Sequence, residues 1–328
     1  MALFEGLLIN VLILVVALVI LDKATDLTID NAVKVADVTG SAETTIGFIL
    51  VAFCTSLPAL SVSIFSALTD KMGVAIGNAL GSNIVNICLI LGVCLLLVAL
   101  RKLRDVKLLT SMAKEEIGSL YFGLFVGSAI PLALIYIGYA GWVIGVALLA
   151  IFGIYTYRLI KVKTIVEEEL NLDVGQRQNL SKHTSLALLS AAAVVVISYF
   201  VVDSASYIAI GVGIPPVIIG GTVVAFGTSM PVLMASIRAI RRKHVDMALG
   251  NIVGTCYVNT TLILGASLVA SPLRVDMGAF SSLVMFSVIA NLCLWYFLAN
   301  EKIGWREGVV LLFMYFLFLT ISLGGYKP

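Results

Sequence analysis

The sequence predicts an all-α integral membrane protein: ten transmembrane helices in two inverted five-helix repeats. Three observations carry that prediction. Hydrophobic residues make up 60% of the 328 and charged residues 12%, with a mean hydropathy of +1.09. A soluble domain carries about 25% charged residues because its surface must face water; here most of the surface must face lipid. Apolar runs also recur near the length of about 20 residues that a helical span needs. Finally, the chain matches itself after a shift of 173 residues.

Hydropathy and helix breakers place the spans at 4–30, 43–69, 74–100, 117–138, 140–160, 184–205, 214–240, 246–270, 278–299 and 304–324. The apolar run Leu7–Leu21 follows no basic segment and precedes no small-residue cleavage signal, so it reads as a first span rather than a signal peptide. With ten spans both termini share a face. That face carries Lys71, Arg274 and Lys327, while the other 18 of the 21 Lys and Arg residues fall on the opposite face. The positive-inside rule makes the richer face cytoplasmic, with both termini outside, most simply in the plasma membrane. The unit boundaries are 1–160, a polar cytoplasmic linker at 161–183 that reads as a solvated tether, and 184–328. Cys54, Cys88, Cys94, Cys256 and Cys293 all lie in apolar segments and read as small core residues rather than a disulfide framework.

In the repeat, IGFILVAFCTSLPALSVSI (46–64) falls on IGGTVVAFGTSMPVLMASI (219–237), and GNALGSNIVNICLILG (77–92) falls on GNIVGTCYVNTTLILG (250–265). No gap is needed, about 21 of 47 positions match, and Asp30 falls on Asp203. Chance likeness between apolar helices gives scattered Leu, Ile and Val, not matched Gly, Thr, Ser, Pro and Asn. An odd number of spans per copy inverts the second copy, a design of alternating-access transporters.

Two features of the repeat carry chemistry. Thr55, Ser56 and Pro58, and likewise Thr228, Ser229 and Pro231, sit in mid-span. Proline removes a donor and clashes with the carbonyl four residues back, so a kink or break is expected at both places. Irregular backbone at membrane depth requires a protein-lined or wet cavity. One span later, Ser82 and Asn86 stand at i and i+4 on one helical face, as do Thr255 and Asn259. Gly77, Gly81, Gly250 and Gly254 permit close helix approach. Each hydroxyl or amide alone reads as interhelical glue; eight in a two-fold arrangement read as an ion cage.

Both copies resemble the repeats of the cation/calcium antiporter superfamily, specifically its sodium/calcium exchanger branch: VAFGTSMP and the Gly-Asn-x-x-Gly pattern are close to that signature. The resemblance covers nearly the whole chain. It implies ion-facing positions at Thr55, Ser56, Ala59, Ser82, Asn86, Thr228, Ser229, Val232, Thr255 and Asn259. It also implies that the first and sixth spans slide past a fixed core. The chain departs from the family pattern where a glutamate follows each proline, because Ala59 and Val232 stand there. Asn259 stands where the family often has aspartate, Thr255–Cys256 replace a Ser-Asn pair, and Cys54 replaces glycine.

Calcium takes six to eight oxygens, commonly with carboxylates among them. A neutral cage leaves a dication uncompensated, so ordinary calcium exchange is disfavoured and a monovalent cation such as Na+ is favoured. The expected partners are the lipid bilayer and small cations, with no nucleic acid and no cofactor. A non-transporting relative, acting as a membrane sensor or assembly subunit, is the second reading. No phosphate loop, nucleophile–base pair or dinucleotide fingerprint points to an enzyme. Asp22, Asp26 and Asp30 form a stripe read as a water-exposed helix extension. Glu115 and Glu116 read as an interfacial helix start, and Asp203, His183 and His244 as solvated.

Overall fold

The computed structural model describes residues 6–38, 45–100, 125, 128–129, 131–132, 139–161, 174–241, 245–274, 277–299 and 304–324. Helix α1 is Leu7–Val38, α2 Thr45–Leu68, α3 Met72–Leu100, α4 Trp142–Lys161 and α5 Val174–Gly211. Then come α6 (Pro216–Arg241), α7 (Val245–Val258, continued through Leu264–Ala270), α8 (Met277–Ala299) and α9 (Trp305–Gly324). Among the described residues seven helices are long and apolar enough to cross a bilayer, and Ala52–Leu68 and Trp142–Tyr157 are shorter apolar helices. Of the expected 117–138 span only scattered helical residues are described, and Lys114, Glu115 and Glu116 lie outside them. The protein is a multi-pass, all-helical integral membrane protein, because backbone in lipid must satisfy its own hydrogen bonds.

Burial sorts the helices. The apolar windows of α1 and α9 are each 22% buried, whereas those of α6 and α7 are 72% and 83% buried. Leu8, Leu12 and Val19 of α1 and Phe313 and Phe316 of α9 form part of the exposed apolar belt. At the centre, α3 and α6 approach closely. A methyl on Gly77 would collide with the Val217 carbonyl, and one on Gly81 with that of Gly221. Small residues let backbones meet where apolar burial against lipid supplies no drive.

Helices α1 and α5 form an antiparallel pair. Gly6 N–H donates to Tyr207 Oη at 3.1 Å, the Thr28 hydroxyl to Ser190 Oγ at 2.9 Å, and His183 Nδ1 lies 2.9 Å from Asn31 Oδ1. Between those contacts Leu14, Ala17 and Leu21 share a buried cluster with Val194, Val201 and Val202.

Several expectations change. Helix α5 begins at Val174, inside the stretch read as a tether, so that part of the linker extends the next span. His183 is half-buried against Asn31, while His244 lies outside the described residues. Asp203 is not a free solvated acid: Lys71 Nζ meets its Oδ1 at 3.0 Å and its side chain is 12% exposed. The aspartate stripe is only partly a solvated extension. Asp30 is exposed, but Asp26 pairs with Arg238 at 3.3 Å and Asp22 Oδ1 is buried without a partner. A two-residue antiparallel bridge, Tyr139–Ala140 with Leu273–Arg274, ties the segment before α4 to that between α7 and α8. All five cysteines are free thiols, four of them buried.

The two proline sites differ. Helix α6 is interrupted at Ser229, two residues before Pro231, and Ser229 N–H is shared between the Ala225 and Phe226 carbonyls at 3.1 and 3.3 Å. Helix α2 runs through Pro58 without interruption. There the Ser56 hydroxyl donates to the Ala52 carbonyl at 2.7 Å, and the Thr55 hydroxyl lies 3.1 Å from the same oxygen.

Candidate functional site

Helices α2, α3, α6 and α7 pack against one another around a buried polar cluster. Two of its asparagines lie on π-helical turns: Asn86 within Val85–Leu91 and Asn259 at the start of Asn259–Ile263. A π turn inserts a residue, displaces the face that follows, and is concentrated at functional sites. A third π turn, Gly220–Val224, lies in α6 directly before the Thr228 segment.

Two hydrogen-bonded ladders cross the cluster. In one, the Thr228 hydroxyl donates to Asn78 Oδ1 at 2.8 Å, and Asn78 Nδ2 donates to Ser63 Oγ at 2.9 Å and to the Ala59 carbonyl at 3.0 Å. In the other, the Thr55 hydroxyl donates to Asn251 Oδ1 at 3.2 Å, and Asn251 Nδ2 donates to Ser236 Oγ at 3.2 Å. Thr228, Asn78 and Ser63 of the first ladder each lie 173 positions from their counterparts Thr55, Asn251 and Ser236 in the second. The threonine of each copy thus reaches the asparagine of the other. Thr255 joins this centre, its Oγ1 3.4 Å from that of Thr55 while it donates to the Asn251 carbonyl at 2.7 Å. A third link joins α3 to α7: Asn259 Nδ2 donates to Asn83 Oδ1 at 3.2 Å and Asn83 Nδ2 donates to Thr260 Oγ1.

Most buried hydroxyls in the spans are already satisfied by the carbonyl one turn back, as with Thr25 on Leu21 and Ser198 on Val194. Ser82 Oγ, both amide atoms of Asn86, and Asn259 Oδ1 are not: all four are buried and without a partner. Buried polar groups are normally hydrogen-bonded, so these four atoms set this cluster apart from the hydroxyls around it. Ala59 and Val232 are buried at 3% and 1% exposure and add no oxygen from their side chains. Among the described residues no group of three or more His, Cys, Asp or Glu is placed to hold a metal ion. The buried Asp22 oxygen belongs to a different neighbourhood, whose charges are Asp26, Lys23 and Arg238.

Of the residues expected in the cage, Thr55, Thr228, Thr255 and Asn259 take part in links between helices, whereas Ser56 is turned onto its own helix. Ser229 is buried at the break in α6. The ladder residues Asn78, Asn251, Ser63 and Ser236 lie outside the expected cage, although each is identical in the two copies at the 173-residue shift and the two asparagines belong to the Gly-Asn-x-x-Gly pattern. Asn83 carried no such signal, because Cys256 stands in its place in the second copy.

The family described as "Sodium/calcium exchanger protein" matches residues 9–161 and 182–324. The sodium/calcium exchanger MaX1 of Methanosarcina acetivorans is 30% identical, over 95% of this chain and 98% of its own length. A solved structure of the sodium–calcium exchanger NCX_Mj, soaked with Na+ and Sr2+, superposes with a TM-score of 0.66 at 25% identity, covering 98% of this chain and all of that one. The H+/Ca2+ exchanger CAX shares the fold, with a TM-score of 0.76 at 16% identity, over 98% of this chain and 88% of that chain.

Proposed function

The chain belongs to the sodium/calcium exchanger protein family, and on that premise we propose that it is a secondary cation antiporter with alternating access that carries a monovalent cation such as Na+. The cage consists of Thr55, Ser56, Ser82, Asn86, Thr228, Ser229, Thr255 and Asn259. It lies between two inverted five-helix units, ten spans in all, in a plasma-membrane protein with both termini outside. Members of this family are transporters, and the chain is not an enzyme.

The observation that carries this reading is the set of unpartnered buried atoms: Ser82 Oγ, the Asn86 amide and Asn259 Oδ1. Leaving such a group unpaired costs about 1–3 kcal/mol, and a desolvated cation restores partners to the oxygens among them. The choice of cation follows from charge. The named side chains are all neutral, and a buried charge without a counter-charge costs several kcal/mol even after relaxation. Carbonyl, amide and hydroxyl dipoles offset that cost for one positive charge, but a dication asks for carboxylates. Support for the inverted repeat comes from the two ladders, which are related by the shift that relates the sequences.

The test is ion flux into proteoliposomes holding the purified chain, under sodium, potassium, proton and calcium gradients in turn. Sodium-coupled movement abolished by Asn86→Ala or Asn259→Ala supports the reading. Silence for every ion overturns it in favour of a non-transporting relative.

A further inference from the structure

We infer that the α1–α5 pair is fastened to the rest of the fold by two ion-pair latches, one toward each end, and that each must open in turn for the pair to move. The word "move" rests on the transport reading above; the latches themselves do not.

Helices α1 and α5 are joined to each other along their length by the Gly6–Tyr207, Thr28–Ser190 and Asn31–His183 contacts and by the apolar cluster between them. They therefore form one body. Two ion pairs among the described residues join that body to the core. Asp203 of α5 meets Lys71, in the turn between α2 and α3, at 3.0 Å. Asp26 of α1 meets Arg238, near the end of α6, at 3.3 Å. In both, the acid belongs to the pair and the base to the core.

The two contacts are far apart. Asp26 lies two residues before Thr28, which meets Ser190, and Ser190 to Asp203 is thirteen helical residues, about 20 Å. On the core side, Gly73 beside Lys71 packs against Pro216 at the start of α6, and Arg238 lies 22 residues further along α6, about 33 Å. One latch therefore sits toward each face of the membrane.

The repeat shows that this is not one contact copied twice. Arg238 and Asp26 stand 173 positions from Phe65 and Tyr199, and those two rings meet edge to face at 6.5 Å. The same site of contact is charged at one end and aromatic at the other. Beside the aromatic contact the charge pair is supplied by Lys71 and Asp203 instead. Each end thus has its own ion pair, by different residues.

The chemistry suits a fastening that opens. The side chains of Lys71 and Asp203 are 30% and 12% exposed, and those of Arg238 and Asp26 are 54% and 20% exposed. Partly exposed pairs are weak and exchange readily with water. A cavity of about 380 Å³ opens on the first latch, lined by Phe65, Thr69, Lys71, Tyr199, Asp203 and Tyr207.

The experiment is hydrogen–deuterium exchange of the full chain in lipid nanodiscs, which reads opening without any need for transport. Asp203→Asn is expected to raise exchange several-fold around 64–73 and 199–215 while leaving 20–34 and 234–241 unchanged. Asp26→Asn is expected to do the reverse. The exchanged pair, Lys71→Asp with Asp203→Lys, is expected to return wild-type protection, and it decides the matter alone if a single variant does not fold. Loosening of both ends by either substitution, loosening of neither, or failure of the exchanged pair to restore protection overturns the inference. If the latches behave as described while flux stays silent, the transport reading falls and the latches stand.

Discussion

Thr228 donates its hydroxyl to Asn78 Oδ1 at 2.8 Å, joining α6 to α3 across 150 residues of chain. Its counterpart, Thr55 on Asn251, joins α2 to α7 at 3.2 Å. The two bonds divide the buried polar residues into those that hold the helices together and those left open, and that division is testable.

Asn78 belongs to the first group. Asn78→Ala leaves the Thr228 hydroxyl only its longer contact with the Ala225 carbonyl, at 3.3 Å, and removes the donor from Ser63 and Ala59. Losing such a buried partner costs about 1–3 kcal/mol. Thermal unfolding in detergent is expected to shift down by several degrees, with or without sodium present.

Asn86 belongs to the second. Neither atom of its amide has a geometrically good partner in the fold and its polar neighbour is the weakly bonding Cys256 thiol, so Asn86→Ala removes little protein hydrogen bonding. The unfolding midpoint without sodium is expected to stay near wild type or to rise. The midpoint's rise on adding sodium is expected to vanish, because a ligand that binds only the folded state stabilises it in proportion to its occupancy. A midpoint that drops as far as that of Asn78→Ala contradicts the division.

Gly81 tests the close crossing of α3 and α6. A methyl there meets the backbone of Gly221, which has no side chain to move aside. Gly81→Ala is expected to destabilise by about 1–3 kcal/mol, read as loss of monodisperse protein on heating. Gly153→Ala, where nothing lies within 4 Å of the added carbon, is the control and is expected to be neutral.

Ala59 and Val232 test why calcium is disfavoured. Both are almost fully buried, so Ala59→Glu with Val232→Glu places two unpaired acids in the core at a cost of several kcal/mol. The double variant is expected to be less stable than wild type in the absence of calcium and to regain stability when calcium is added. A variant that calcium does not rescue shows that missing carboxylates are not the reason.

Much of the fold and of the buried polar cluster could be read in the chain. Apolar runs located the seven helices that are long and apolar enough to cross a bilayer among the described residues, because lipid imposes length and composition on each one separately. The repeat located Thr55, Thr228, Asn86 and Asn259, because Thr, Ser, Asn and Gly at matched positions are not what two apolar helices share by chance. Asn78 and Asn251 were legible by the same test. What stayed hidden is pairing at a distance. Nothing in hydropathy says that Lys71 meets Asp203 or that Arg238 meets Asp26, since a charged residue near the end of a span reads as solvated. The π turns at Asn86 and Asn259 were also invisible, because one inserted residue barely alters an all-apolar periodicity. That α2 runs on through Pro58 while α6 is interrupted at Ser229 was also hidden, because both copies share the same Thr-Ser-x-Pro motif.

The central claim is that an uncharged cage prefers one positive charge to two. Equilibrium binding of radiolabelled sodium and of radiolabelled calcium to the purified chain, each competed by the other, tests it directly. The account predicts saturable sodium binding that Asn259→Ala removes, and calcium binding too weak to displace sodium at equal concentration. Calcium that binds more tightly than sodium, and is lost with Asn259→Ala, contradicts it.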